Sequence, residues 1–139
     1  MDQAKEAQEL DGQLSTLTVP PDPEYARVVR MTAANFAMLA DLSVEDVDDV
    51  RMAAEEAFVC ACATGVGGMM GIEFRVSAGR LDMSFELGAD VDGLGREGDQ
   101  DPALAYARLL LEALCDDVEV AGAPARLNVT KSSGNADAL

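Results

Sequence analysis

Residues 72–87, IEFRVSAGRLDMSFEL, decide the fold class of this 139-residue chain. Apolar and polar residues alternate over 72–76 and again over 81–87, which is typical of strands with one buried face. The four residues between them, Ser77 to Arg80, predict a hairpin turn. The centre of the chain is therefore predicted to contain two adjacent antiparallel strands.

A long helix is predicted before this hairpin. It begins at Ser43, which stands three residues before Asp46 in a pattern like a capping box. It ends in the glycine-rich segment 65–71. Its predicted buried face consists of Val47, Val50, Ala54, Ala57, Phe58 and Ala61.

A short strand over 14–19 and a first helix precede that element. Prolines in 20–23 stop the strand, Asp22 is predicted to be the helix N-cap, and Pro23 suits the first helical position. The helix runs to about residue 40. Its apolar residues at helical spacing are Tyr25, Val28, Val29, Phe36 and Leu39.

The last third of the chain predicts a loop over 88–101, a third helix from Pro102 to about Cys115, and a hairpin of strands over 118–120 and 125–130. This element order predicts an α+β two-layer sandwich with a mixed, mostly antiparallel sheet covered on one face by three helices. We expect one domain over 14–131, with flexible segments at 1–13 and 132–139.

Charge limits the partners. The chain has 10 Lys+Arg and 26 Asp+Glu, a net charge of −16, with 49% hydrophobic residues. Nucleic-acid binders need a basic surface, and anionic membranes repel an acidic one. The composition therefore favours a protein partner with a basic surface, or acidity that serves solubility alone.

Histidine is absent, which excludes Ser–His and Cys–His catalysis and two-histidine metal sites. The odd number of cysteines (Cys60, Cys62 and Cys115) and the lack of a long apolar run predict a reducing, cytoplasmic setting. Cys60 and Cys62 could form half of a metal site. Small buried thiols are the preferred interpretation.

Passages 18–30, 43–61 and 110–127 together resemble the anti-sigma-factor serine kinases, within the ATPase superfamily of gyrase B and histidine kinases. The resemblance covers about 14–131. It implies a histidine-kinase-like ATPase fold, ATP and magnesium as cofactors, and homodimerisation through the sheet side. It also implies two kinds of partner, a sigma factor and an anti-anti-sigma protein.

The ATP box of this family carries a glutamate that acts as base and an asparagine that holds magnesium. By resemblance, Glu56 matches the glutamate, whereas Cys60 stands in the asparagine position. A thiol is a poor ligand for a hard cation, so magnesium binding is predicted to be weakened. Alternatively, Glu56 is only a solvated helix carboxylate.

The family's Asp-x-Gly-x-Gly motif receives adenine. Strict alignment places Leu87 or Gly88 at its aspartate. A shifted alignment offers Asp90 or Asp92 before Gly93-Leu94-Gly95, either as a relic or as a chance match.

Two further nucleotide elements depart from the family. Ala105 and Ala107 replace the lid glycines that let phosphate approach the backbone, and Asp99 and Asp101 nearby would repel it. Ala123 replaces a threonine of the last strand. Together these changes predict kinase activity that is weakened or lost.

The family's docking helix carries an arginine after an aromatic residue and an alanine. Tyr25-Ala26-Arg27-Val28 matches this context, so Arg27, with Glu24 one turn earlier, is predicted to bind the partner. Alternatively, Arg27 and Arg30 balance surface acids. Three hypotheses follow: a degenerate anti-sigma factor, an active serine-protein kinase, or an acidic interaction module unrelated to sigma factors.

Overall fold

The sheet contains five strands in the order β1-β2-β3-β5-β4. The computed structural model describes residues 12–91 and 102–133, without the side chains of 102–104. All four strand pairings in the described residues are antiparallel, so no parallel pair occurs there. The strands are β1 (Gln13–Val19), β2 (Met70–Ser77), β3 (Arg80–Glu86), β4 (Asp117–Ala121) and β5 (Arg126–Ser132).

The helices are α1 (Ala26–Leu39), α2 (Val44–Cys62) and α3 (Pro102–Leu114), and a 3-10 turn over Pro23–Tyr25 precedes α1. The predicted cap at Ser43 is confirmed, whereas Asp22 caps the 3-10 turn, and α1 itself begins after Tyr25 without a side-chain cap. The Asp22 carboxylate accepts a hydrogen bond from the Glu24 N–H at 2.9 Å, and the Ser43 hydroxyl accepts one from the Asp46 N–H at 3.1 Å. The predicted α+β two-layer sandwich is thus confirmed.

The core lies between the helices and one face of the sheet. The alternation in the central hairpin places every second side chain in this layer. Phe36 of α1 stacks on Phe74 of β2 with ring centroids 4.9 Å apart. The buried residues of the hairpin are Met70, Ile72, Phe74, Leu81, Met83, Phe85 and Leu87.

The apolar residues that recur at helical spacing in the first helix are only partly buried. Tyr25, Val28 and Leu39 are exposed, with Leu39 at 72%. The helix instead buries Ala26, Val29, Ala33 and Ala37. Alanines also dominate the buried face of α2, and small side chains let two helices approach closely. Close helix packing, rather than the largest apolar residues, therefore determines which way α1 faces.

The glycine-rich segment is shorter than its composition indicated. β2 begins at Met70, so only residues 65–69 of this segment belong to the connector, which runs from residue 63 to residue 69. Gly65 and Gly68 have positive φ angles of 74° and 73°, a conformation that favours glycine. The connector brings the chain from the end of α2 to β2, the second strand of the sheet.

Within the described residues, no helix has both the length and the apolar character that crossing a membrane requires.

Candidate functional site

The end of α2 meets the end of β3 through Thr64, a residue that sequence reasoning missed. Its side chain is buried, with 1% exposure. The hydroxyl donates to the Ala61 carbonyl at 2.6 Å and accepts from the Gly88 N–H at 2.7 Å. The Thr64 carbonyl in turn accepts from the Asp90 N–H at 2.9 Å. One residue thus joins the regions predicted to contain two of the nucleotide motifs.

Gly88 lies directly against this junction. A Cβ atom at Gly88 would lie 2.3 Å from the Gly65 carbonyl carbon and 2.4 Å from the Thr64 oxygen. Leu87, the other residue aligned with the family's aspartate, is buried in the core. Neither position offers a carboxylate, and the space beside Gly88 is filled by backbone.

Asp90 is exposed, and its backbone N–H is fixed by Thr64. Asp92, Gly93 and Gly95 lie outside the described residues, as do Asp99 and Asp101. The structure therefore places Asp90 beside the end of α2 but does not describe the glycines of the shifted motif.

Cys60 and Glu56 lie one turn apart on α2. Cys60 is only 2% exposed. Burial, and secondarily the charge of Glu56, raises the pKa of the Cys60 thiol to about 11. This thiol is therefore protonated at neutral pH, whereas a metal-binding cysteine must be a thiolate. Glu56 is half-buried and makes no hydrogen bond with any described residue.

The remaining cysteines have similar chemistry. Burial is also the main cause that raises the pKa of Cys62 to about 11 and that of Cys115 to about 12. No group of three or more cysteine, aspartate or glutamate side chains that could hold a metal ion occurs among the described residues. Within the predicted ATP box, residues 56–60, the Glu56 carboxylate is the one side-chain oxygen group that could bind a cation.

The alanines aligned with family motifs have different environments. Ala107 of α3 is buried and Ala105 is half-buried, whereas Ala123 is exposed in the turn between β4 and β5. Leu87 N–H donates to the Ala125 carbonyl at 3.3 Å, which places this turn beside the end of β3. The turn that contains Ala123 thus lies at the same end of the sheet as Gly88.

The predicted docking residues lie where the first helical segment begins, with Glu24 in the 3-10 turn and Arg27 in the first turn of α1. Glu24 and Arg27 are exposed. Arg27 has no ion pair with any described residue, whereas Arg30 pairs with Glu55 at 3.1 Å. The interpretation that these arginines balance surface acids therefore fits Arg30 but not Arg27 within the described residues.

Arg51 of α2 is a second residue that sequence reasoning missed. It lines a groove together with Arg27 and Arg30. The signal was a single basic residue in a helix whose other charged side chains are all acidic. Only the packing of α1 against α2 brings it to the predicted docking helix.

Comparison with known proteins found a similarity to the serine-protein kinase RsbW of Halalkalibacterium halodurans, 31% identical over 88 residues. The match covers 57% of this chain and 54% of that protein. The chain therefore matches about half the length of this curated relative. No family model matches the chain. The similarity supports the serine-kinase resemblance at this partial coverage.

Proposed function

We propose that this protein regulates transcription by binding other proteins, as a relative of the anti-sigma-factor serine kinases. A sigma factor and an anti-anti-sigma protein are the partners that this family implies. The observation that carries the proposal is the exposed Arg27 without an ion pair in the described residues, in an acidic chain similar to a serine-protein kinase. A guanidinium in this state can bind a partner carboxylate through two hydrogen bonds.

The proposal includes weak or absent ATP use. Magnesium prefers oxygen ligands, but Cys60 presents a buried, protonated thiol where the family has an asparagine. Gly88 is enclosed by the backbone of Thr64 and Gly65 at the place where the family has an adenine-binding aspartate. These two features support weak or absent binding of a magnesium-bound nucleotide.

An affinity experiment tests the partner. The purified chain is used as bait in a lysate of its native host, and retained proteins are identified by mass spectrometry. We expect the wild-type chain to retain a sigma factor or an anti-anti-sigma protein. The Arg27→Ala variant should retain far less, because it lacks the guanidinium.

Arg80→Ala is the matched control, since Arg80 is an exposed arginine on β3 that pairs with Asp82. It should retain the partner as the wild type does. Retention of neither class of protein, or equal retention by Arg27→Ala, would contradict the proposal and favour an acidic module unrelated to sigma factors.

An active serine-protein kinase is the second candidate function. Two observations favour it: the similar protein is named a serine-protein kinase, and Glu56 is half-buried on α2 without a hydrogen bond to any described residue. A free carboxylate could accept a proton from a hydroxyl. The two candidates differ in whether the chain binds magnesium-ATP.

Homodimerisation through the sheet side is a further part of the proposal. β1 lies at one edge of the sheet. The helices cover one face of the sheet, and the other face is the side proposed to meet a second copy of the chain. An exposed edge strand favours pairing with another chain. Light scattering at high protein concentration should give the mass of a dimer, and a monomeric mass would contradict this part.

A further inference from the structure

A groove of about 380 Å³ lies on the exposed side of the packed helix pair α1 and α2. Arginine dominates its lining, with side chains from both helices. The lining residues are Arg27, Arg30, Met31, Ala34, Asn35 and Arg51.

Its charge is opposite to that of the molecule. The chain has 10 Lys+Arg and a net charge of −16, yet three arginines meet here and none of the described lining side chains is acidic. Such a concentration of one sign creates a local field that attracts groups of the other sign.

The arginines retain donors for a ligand. Arg30 and Arg51 each use one nitrogen in a pair at the rim, with Glu55 at 3.1 Å and Asp48 at 3.2 Å. The Arg51–Asp48 pair is exposed on both sides, and such pairs contribute little and exchange readily. A guanidinium carries five N–H donors, so each arginine can bind a further carboxylate.

Apolar side chains lie beside the positive charge. Met31 is 54% exposed within the groove, and Val28 and Met38 are exposed on the same side of α1. Positions three and seven residues apart share one helix face. Ala34 is small enough to let a partner approach, and methionine adapts its shape to varied partners.

We propose that this groove binds an acidic amphipathic helix of a protein partner. Carboxylates of that helix pair with Arg27 and Arg51, while its apolar face covers Met31 and Ala34. Grooves of this kind select a helix by its apolar anchors, and the charges determine its orientation. The net charge of −16 favours a partner with a basic surface over most of the molecule, but the groove has the opposite sign. A short acidic helix can stay within the groove, whereas a nucleic acid would extend over the acidic remainder of the chain, which repels its phosphates.

This inference deepens the proposed function and rests on it for the nature of the partner. It adds a second helix, through Arg51, to the docking surface predicted at Glu24 and Arg27.

The test uses an 18-residue helical probe peptide, with leucines on one face and glutamates beside them, and a neutral twin with glutamine in place of glutamate. Binding to the full chain is measured by fluorescence anisotropy at low salt. We expect the neutral twin to bind roughly tenfold more weakly, since it lacks the charge-assisted hydrogen bonds. Raising the salt to about 0.5 M should weaken the acidic peptide alone, because the charges are screened.

The variants identify the surface. The double variant Arg27→Gln/Arg51→Gln should weaken the acidic peptide roughly tenfold, and Arg80→Gln, on the opposite face of the sheet, should not. As a safeguard against misfolding, Arg27→Glu/Arg51→Glu should instead bind a lysine version of the peptide.

Equal affinity of the two peptides, or no effect of the double variant, would overturn the inference even if a sigma factor is captured. Competition by duplex DNA, or a variant that changes only self-association, would also overturn it by assigning the groove to another occupant. If the acidic peptide binds as expected but no sigma factor or anti-anti-sigma protein is captured, the groove inference stands and the proposed function fails.

Discussion

Gly88 is the most tightly packed residue at the junction between the end of α2 and the end of β3. Its N–H donates to the buried Thr64 hydroxyl, and its Cα approaches the backbone of Thr64 and Gly65. Glycine serves such close approaches because it has no Cβ. The same contact that requires glycine also fills the space beside it.

Replacement of Gly88 by alanine should therefore destabilise the fold. The added Cβ would lie 2.3 Å from backbone that must shift, and overpacking of this kind costs about 1–3 kcal/mol. Urea unfolding followed by circular dichroism measures the change in the free energy of unfolding.

Gly67→Ala is the control, because a Cβ there meets nothing within 4 Å. It should be neutral, or stabilising by up to about 1 kcal/mol, because alanine restricts the unfolded chain. Equal effects of the two variants would show that the packing at Gly88 is not as described.

At this scale the sequence names candidate residues, but it does not reveal their surroundings. The family resemblance singles out Glu56, Cys60 and Gly88, but the burial of Cys60 and the role of Thr64 depend on contacts between α2 and β3 that no local pattern encodes. Arg51 was missed for the same reason, since its neighbours in the groove belong to α1.

At the scale of the elements, Lys131 of β5 holds the first half of α2 to the end of α3. Its ammonium group lies 3.0 Å from Asp49 and 3.8 Å from Asp46, and it donates to the Leu114 carbonyl at 2.8 Å. Burial alone would lower the pKa of Lys131, but the hydrogen bond to Asp49 and the nearby acids outweigh it and raise the pKa.

Lys131→Met should reduce the free energy of unfolding by roughly 1.5–3 kcal/mol, a loss typical of hydrogen bonds to a charged group. The Arg51→Gln variant breaks an exposed pair within one helix and should change it by less than about 1 kcal/mol. Thermal or urea unfolding of both variants measures the difference in the free energy of unfolding. An unchanged value for Lys131→Met would contradict the role of Lys131 in holding α2 to the end of α3.

Helix and strand positions followed from capping residues and alternation, and the predicted element order is confirmed. Which side of α1 is buried could not be predicted from the sequence, because Val28 and Leu39 are apolar residues at helical spacing and yet are exposed. Alanines at 26, 33 and 37 carry a weaker hydrophobic signal, but they permit the close packing that decides which side is buried.

For the whole molecule, the three buried or half-buried thiols predict that the free energy of unfolding decreases at alkaline pH. Burial raises the pKa of Cys60 and Cys62 to about 11 and that of Cys115 to about 12. The unfolded chain releases these protons at lower pH than the folded chain. Stability is therefore complete below the thiol pKa of the unfolded chain and falls as the pH rises toward the folded values.

We expect the free energy of unfolding to decrease between about pH 9 and pH 11 in reducing buffer, since free thiols titrate near pH 8.5. A variant with alanine at all three cysteines should show a flatter pH dependence. An equally steep decrease in that variant would assign the effect to other groups.

The central claim for the whole molecule is that it acts by binding protein rather than by using ATP. The most direct measurement is calorimetric titration of the full chain with magnesium-ATP, beside a folded Glu56→Gln variant. The account predicts no saturable binding up to roughly 1 mM, which excludes a binding free energy more favourable than about −4 kcal/mol. Saturable binding at micromolar concentration that Glu56→Gln abolishes would contradict it and would show that the chain binds nucleotide, as the kinase alternative requires.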